Sequence, residues 1–262
     1  MQELLKQVKD HWNITADSPW YRSLRTDEKM QELVEHPETA FHPQVFSLIT
    51  KYLPDIKGKQ ILLPSSGDNH AAFAFARMGA AVTSADISER QLENAAALAE
   101  KWKLNITFVC DNTMELSHIG DDTFDLVYTS NGTHTWIPDL DGMYRNIHRV
   151  LRKGGYSIMY DVHPFMRPFT GEPWKDPQIR KSYWDVFPDC HWRVQDLINT
   201  TAFAGLTIKE VAELQAADPS FWYTYDELIR QSGDDLIHVN EWKCNPMAAL
   251  PAWLTIVSQK QT

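Results

Sequence analysis

Two aspartates stand where short apolar runs end. Asp86 closes the run 81–85 and Asp111 follows the run 106–110. If these runs are strands, Asp86 is placed to accept both hydroxyls of a ribose and Asp111 an adenine amino group, because an ionised carboxylate offers several acceptor sites. About twenty residues before Asp86, Ser65, Ser66, Gly67 and Asn69 form a small-residue turn into an apolar helical stretch. Such a turn lets a ligand approach the backbone closely. Two histidines follow later runs: His134 in NGTHTW, and His163 just beyond 156–160. Each is a candidate general base, His134 the first choice, although a histidine there also serves hydrogen bonding or shape.

These residues need a frame that brings strand ends together. From residue 60 onward, apolar runs alternate with helical stretches: strands at 60–63, 81–85, 106–110, 124–129 and 156–160, with helices between. Gly79 is placed to close the helix that starts near His70, and Ser88 with Gln91 reads as a capping box opening the next one. Asp139 is placed to cap a helix running to about Leu151, and Gly154-Gly155 turns it into the fifth strand. Alternation at this spacing predicts an α/β fold, a doubly wound and mostly parallel sheet of seven strands, the last two at 207–211 and 252–257. In such sheets ligands bind beyond the carboxyl ends of the strands, at the switch point. Residues 1–57 read as a helical segment broken at Pro19, Pro37, Pro43 and Pro54, and 58–262 as the main domain. Insertions at about 164–190 and 215–250 interrupt the rhythm. Tyr21 and His42, in the first segment, are candidates to close over the cleft as a lid.

The 262 residues are 43% hydrophobic and 23% charged, ordinary for a globular core. A net charge of −10 argues against a nucleic-acid or anionic membrane partner. No apolar run reaches the length of a membrane span, the first residues lack a signal peptide's apolar region, and Cys110, Cys190 and Cys244 show no CxxC spacing. A cytoplasmic protein with reduced thiols is the expectation. No HxH, HExxH or Cys/His spacing supports a metal. Ten tryptophans, mostly outside the middle of the chain, are core material or the wall of a pocket for an apolar or flat molecule.

Three stretches together carry a resemblance: VTSADISERQLENA (82–95), DDTFDLVYTSNGTHTWIPDL (121–140) and HRVLRKGG (148–155). Over roughly 40–162 the sequence resembles the class I S-adenosylmethionine-dependent methyltransferases, a Rossmann-like fold. The resemblance implies S-adenosyl-L-methionine as cofactor, Asp86 on its ribose, Ile87 packed on the adenine, and Asp111 with Asn112 at the adenine edge. Thr129, Ser130 and Asn131 would lie beside the methionine part; Tyr21, His42 and Trp136 are the candidates for the acceptor pocket. It further implies methyl transfer to a small-molecule acceptor by in-line displacement, or, as the alternative, a silent protein of the same fold that binds the cofactor for regulation. The departure lies in the first loop, where the family has approximately D/E-x-G-x-G-x-G. Leu63 stands in place of the acid, and Ser65 and Asn69 in place of two glycines. Asn tolerates positive φ better than most residues and Ser is small, so the turn is expected to survive. Asp68 at the helix entry would repel a diphosphate, which argues against a nucleotide dehydrogenase.

Overall fold

The computed structural model describes residues 2–67, 69–169, 177–223, 227 and 238–261, so Asp68 and Trp174 lie outside the described residues. Seven strands form one sheet: β1 (Gln60–Pro64), β2 (Ala81–Asp86), β3 (Ile106–Cys110), β4 (Phe124–Ser130), β5 (Leu151–Val162), β6 (Leu206–Leu214) and β7 (Trp253–Lys260). Their order is β3-β2-β1-β4-β5-β7-β6. The first five are parallel, and β7 runs antiparallel between β5 and β6. Because β1 is flanked by β2 on one side and β4 on the other, the switch point sits at their carboxyl ends.

Alternating side chains feed two cores, one per face, as parallel strands covered on both sides require. Ile61, Leu63, Leu126, Tyr128, Ile158 and Tyr160 join one core, with α4 (Pro43–Tyr52), α5 (His70–Arg77) and α6 (Glu89–Lys101). Leu62, Val127 and Met159 join the other, with α7 (Leu140–Val150) and Leu197 of α8 (Val194–Phe203).

The prolines of the first segment start helices more often than they break them. Pro19 opens α2 (Pro19–Leu24), Pro37 a short 3-10 turn and Pro43 α4, each in the first turn, where the missing N–H has no helical partner to lose. Ser18, Thr26 and His42 supply the caps of α2, α3 (Asp27–Glu35) and α4. The box expected at Ser88 is half formed. Ser88 Oγ accepts from Gln91 N at 3.1 Å, but Ser88 N donates to Asp86 Oδ1 at 2.8 Å.

β5 starts five residues earlier than expected. Leu151 pairs with Phe124 and Tyr156 with Leu126, so residues 152–155 bulge out of the ladder. Gly154 has φ +79°, and a Cβ on Gly155 would meet the Phe124 carbonyl at 2.8 Å and the Arg152 carbonyl at 2.9 Å. Gly155→Ala is therefore expected to destabilise by about 2–3 kcal/mol through backbone crowding. Gly154→Ala should cost about 1–2 kcal/mol through its dihedral alone. Urea-denaturation midpoints of the two variants check both the sizes and their order.

Candidate active site

One cavity of about 960 Å3 opens at the switch point. Its floor is the turn after β1, tied to three neighbouring strand ends. Ser65 Oγ bonds Thr113 Oγ1 at 2.6 Å, Ser66 Oγ bonds Ser84 Oγ, and Asn69 Nδ2 donates to Ser130 Oγ at 2.7 Å. Gly67 N donates to Asp86 Oδ2 at 2.8 Å, so the carboxylate that ends β2 grips the turn and the entry of α6 together. Ser65 holds φ +50° and Gly67 φ +50°; Asn69 has φ −60° and caps α5 through Ala71 N. The left-handed tolerance expected of Asn69 is thus not used, and the strained position is Ser65.

The roof comes from the first segment. Leu5, Val8 and Trp12 of α1 (Gln2–Thr15), with Trp20 and Tyr21 of α2, line the cavity beside Trp136. Trp12 lies edge-on to Trp136 at 5.3 Å and to Tyr21 at 6.1 Å. α1 is fastened to α6 by polar contacts: Lys9 with Glu89, and Asn13 Oδ1 accepting from Ser88 Oγ at 2.7 Å and Arg90 N at 3.2 Å. Arg90 Nε in turn reaches Asp17 at 2.7 Å, just beyond the helix.

A family model described as a methyltransferase domain matches residues 62–159. A Bacillus subtilis (strain 168) protein described as an uncharacterized methyltransferase, YbaJ, is 30% identical over 121 residues, 46% of this chain and 47% of that protein. A sterol 24-C-methyltransferase of Gibberella zeae is 38% identical over 85 residues, 32% of this chain and 22% of that protein. Among solved structures, an S-adenosylmethionine-dependent methyltransferase from Mesorhizobium loti superposes with a TM-score of 0.59 at 20% identity, covering 82% of this chain and 96% of that one. Residues 62–159 thus resemble a methyltransferase domain, on the fold of an S-adenosylmethionine-dependent methyltransferase. The chain spans about half the length of the curated bacterial relatives it matches, 47% and 48%.

The cavity gathers eleven of the residues singled out in the sequence: Ser65, Ser66, Gly67, Asn69, Asp86, Ile87, Asn112, Ser130, Asn131, Tyr21 and Trp136. Five others lie elsewhere. Asp111 is buried and turned into its own loop, accepting from Asn112 N and His118 N, each at 2.7 Å. Thr129 is interior to β4. His42 caps α4 through Gln44 N and bonds the Gln215 carbonyl at 3.1 Å, which joins the first segment to the residues after β6. His134 and His163 do not face the cavity as bases. The His134 ring is held by Asp161 at 2.8 Å and Tyr144 at 3.2 Å, and the fully buried His163 by Phe165 N at 3.1 Å and Glu213 at 3.0 Å.

The sequence reading passed over Leu5, Val8, Thr113, Met114, Asp218 and Ser220 on the cavity wall. Positions 5, 8 and 12 share one helical face, a signal present in the sequence. Asp218 has no such signal, since only the fold brings residues after β6 to this edge. Among the described residues, no group of His, Cys, Asp and Glu is arranged to hold a metal, and no helix is long and apolar enough to cross a membrane.

Burial holds His42, His163 and His191 below the ordinary histidine value of 6.5, and His148 likewise, with Lys260 adding to the effect. The unfolded chain therefore binds more protons than the folded one between the lowered values and 6.5. Stability is expected to be highest above that window and to fall as pH drops through it. Urea titrations at pH 8 and pH 5.5 check the sign: a higher midpoint at pH 5.5 would contradict it.

Proposed function

We propose that this chain moves a methyl group from S-adenosyl-L-methionine to a small-molecule acceptor by in-line displacement within the cavity. The observation that carries the reading is Asp86: it ends β2, stands on the cavity wall, and is locked by the N–H groups of Gly67 and Ser88. An ionised carboxylate held at this strand end is the acceptor type that a ribose diol requires. Ile87 and Asn112 flank the place an adenine would take, and Ser130 and Asn131 the place of the methionine part.

When bound, the cofactor supplies a methyl already activated by a sulfonium. The residues of this chain bind, orient and exclude water. Leu63, where the family has an acid, is sealed in the core, so the described acids on the wall are Asp86 and Asp218. They provide the negative field a sulfonium and an ammonium need, and a diphosphate would meet repulsion there. The aromatic and aliphatic roof of α1 and α2 forms a lid, residues 1–57, that dries the site and strengthens each polar contact. At about 960 Å3 the cavity lies at the upper end of the range for small-molecule sites, which gives room for an acceptor beside the cofactor. A pocket with an apolar roof, in a chain of net charge −10, suits a small acceptor better than a nucleic acid. The sterol specificity of the Gibberella zeae relative points the same way. Neither His134 nor His163 is offered to the acceptor, so the acceptor class favoured is one that needs no base from them.

Calorimetric titration with S-adenosylmethionine and S-adenosylhomocysteine tests the reading. Both are expected to bind, and Asp86→Ala should weaken them by about 1–3 kcal/mol, the size of a lost charged hydrogen bond. A folded wild-type protein that binds neither would overturn the proposal.

A further inference from the structure

Asp161, at the end of β5, is 2% exposed and receives five donor contacts. Oδ1 accepts from Gly132 N at 2.9 Å and Val162 N at 2.7 Å, with Arg167 Nη2 at 3.4 Å. Oδ2 accepts from His134 N at 3.0 Å and His134 Nδ1 at 2.8 Å. Burial alone would raise this carboxyl, but the hydrogen bonds from His134 and the charge of Arg167 hold it below the usual range. Because a carboxylate oxygen only accepts, His134 Nδ1 carries the hydrogen, and Nε2 bonds the Tyr144 hydroxyl at 3.2 Å. Tyr144 is fully buried in α7, and burial raises its phenol above the ordinary value.

The segment these groups hold is the wall of the cavity. Asn131 and Gly132 are consecutive left-handed residues, φ +56° and +89°. For Asn131 that conformation is unfavourable unless the surroundings impose it. Asp161 fastens the N–H on each side of Thr133, and residues Ser130 to Thr133 line the cavity. Desolvating an acid, an imidazole and a phenol in a place that apolar side chains could fill is a poor route to stability. It is a good route to a single loop geometry.

We propose that Asp161, His134 and Tyr144 are positioning residues that fix the cavity wall after β4 in the shape that receives the methionine end of the cofactor. The proposal rests on the cofactor reading above. His134 acts through Asp161 and the loop, without touching either ligand.

The test compares Asp161→Asn, His134→Phe, His134→Asn and Tyr144→Phe with wild type by S-adenosylhomocysteine calorimetry and by amide hydrogen exchange. Asp161→Asn and His134→Phe are expected to lose about tenfold or more in affinity, as for a lost charged hydrogen bond. Exchange should quicken at Gly132 and His134 while the amides of β1 and β2 keep their protection. In His134→Asn the side-chain amide can donate near the place of Nδ1, so affinity should stay within about threefold of wild type. That rescue separates positioning from general destabilisation, which would lower all variants according to their melting temperatures. If Asp161→Asn does not fold, the two His134 variants, which leave the acid in place, decide the matter. Wild-type affinity and unchanged exchange in His134→Phe would overturn the proposal, as would equal losses in His134→Phe and His134→Asn. A wild type that does not bind S-adenosylhomocysteine would overturn the cofactor reading instead. Exchange at Gly132 and His134 would still test the anchor.

Discussion

Backbone N–H groups that leave the sheet at the carboxyl ends of its strands have no ladder partner, and carboxylates at those same ends take them up. Asp86 serves the turn after β1 and the start of α6, Asp111 serves the loop after β3, and Asp161 serves the loop after β4. All three acids are buried, and these donors satisfy carboxylate oxygens that burial takes out of water. The walls of the cavity are the loops so held. A conventional glycine turn is less needed when its neighbours are fastened this way, and Ser65 keeps φ +50° with its hydroxyl on Thr113.

The same economy explains why the two histidines most suggestive of chemistry are structural. A group that must exchange protons with a ligand needs one free valence towards it. Both ring nitrogens of His134 and of His163 are engaged inside the protein. What the site offers is shape, a short list of acceptors and an apolar roof. That suits a reaction whose electrophile arrives already activated, where positioning carries much of the rate. The roof is attached differently from the floor. α1 reaches α6 through Lys9, Asn13 and, just beyond the helix, Asp17, contacts that salt and water can replace, whereas the floor is buried.

Much of this arrangement is legible along the chain. The five parallel strands stand close to the apolar runs that announce them, because β1 and β4 are covered on both faces and are apolar along their centres, 61–63 and 126–128. Small turn residues and strand-end acids mark the edge where a ligand binds. The start of β5 is less legible, since the bulge at 152–155 depends on pairing with β4 and leaves no periodic trace. The early prolines are ambiguous in the sequence because proline opens a helix as readily as it ends one, and Pro19, Pro37 and Pro43 all stand in first turns.

By itself the sequence determined the order of the strands in the chain, the edge of the sheet where the cavity opens, and Asp86 as a residue on its wall. Local rules suffice for these, since apolar periodicity, turn chemistry and strand ends depend on neighbours in sequence. Only the tertiary structure decided which way each strand-end carboxylate turns. Asp86 faces the cavity, Asp111 faces its own loop, and Asp161 faces the loop of another strand. It also decided that α1 roofs the cleft and that Asp218 reaches it from beyond β6. Orientation, burial and hydrogen-bond partners are set by residues far apart in the chain, and no local pattern encodes them.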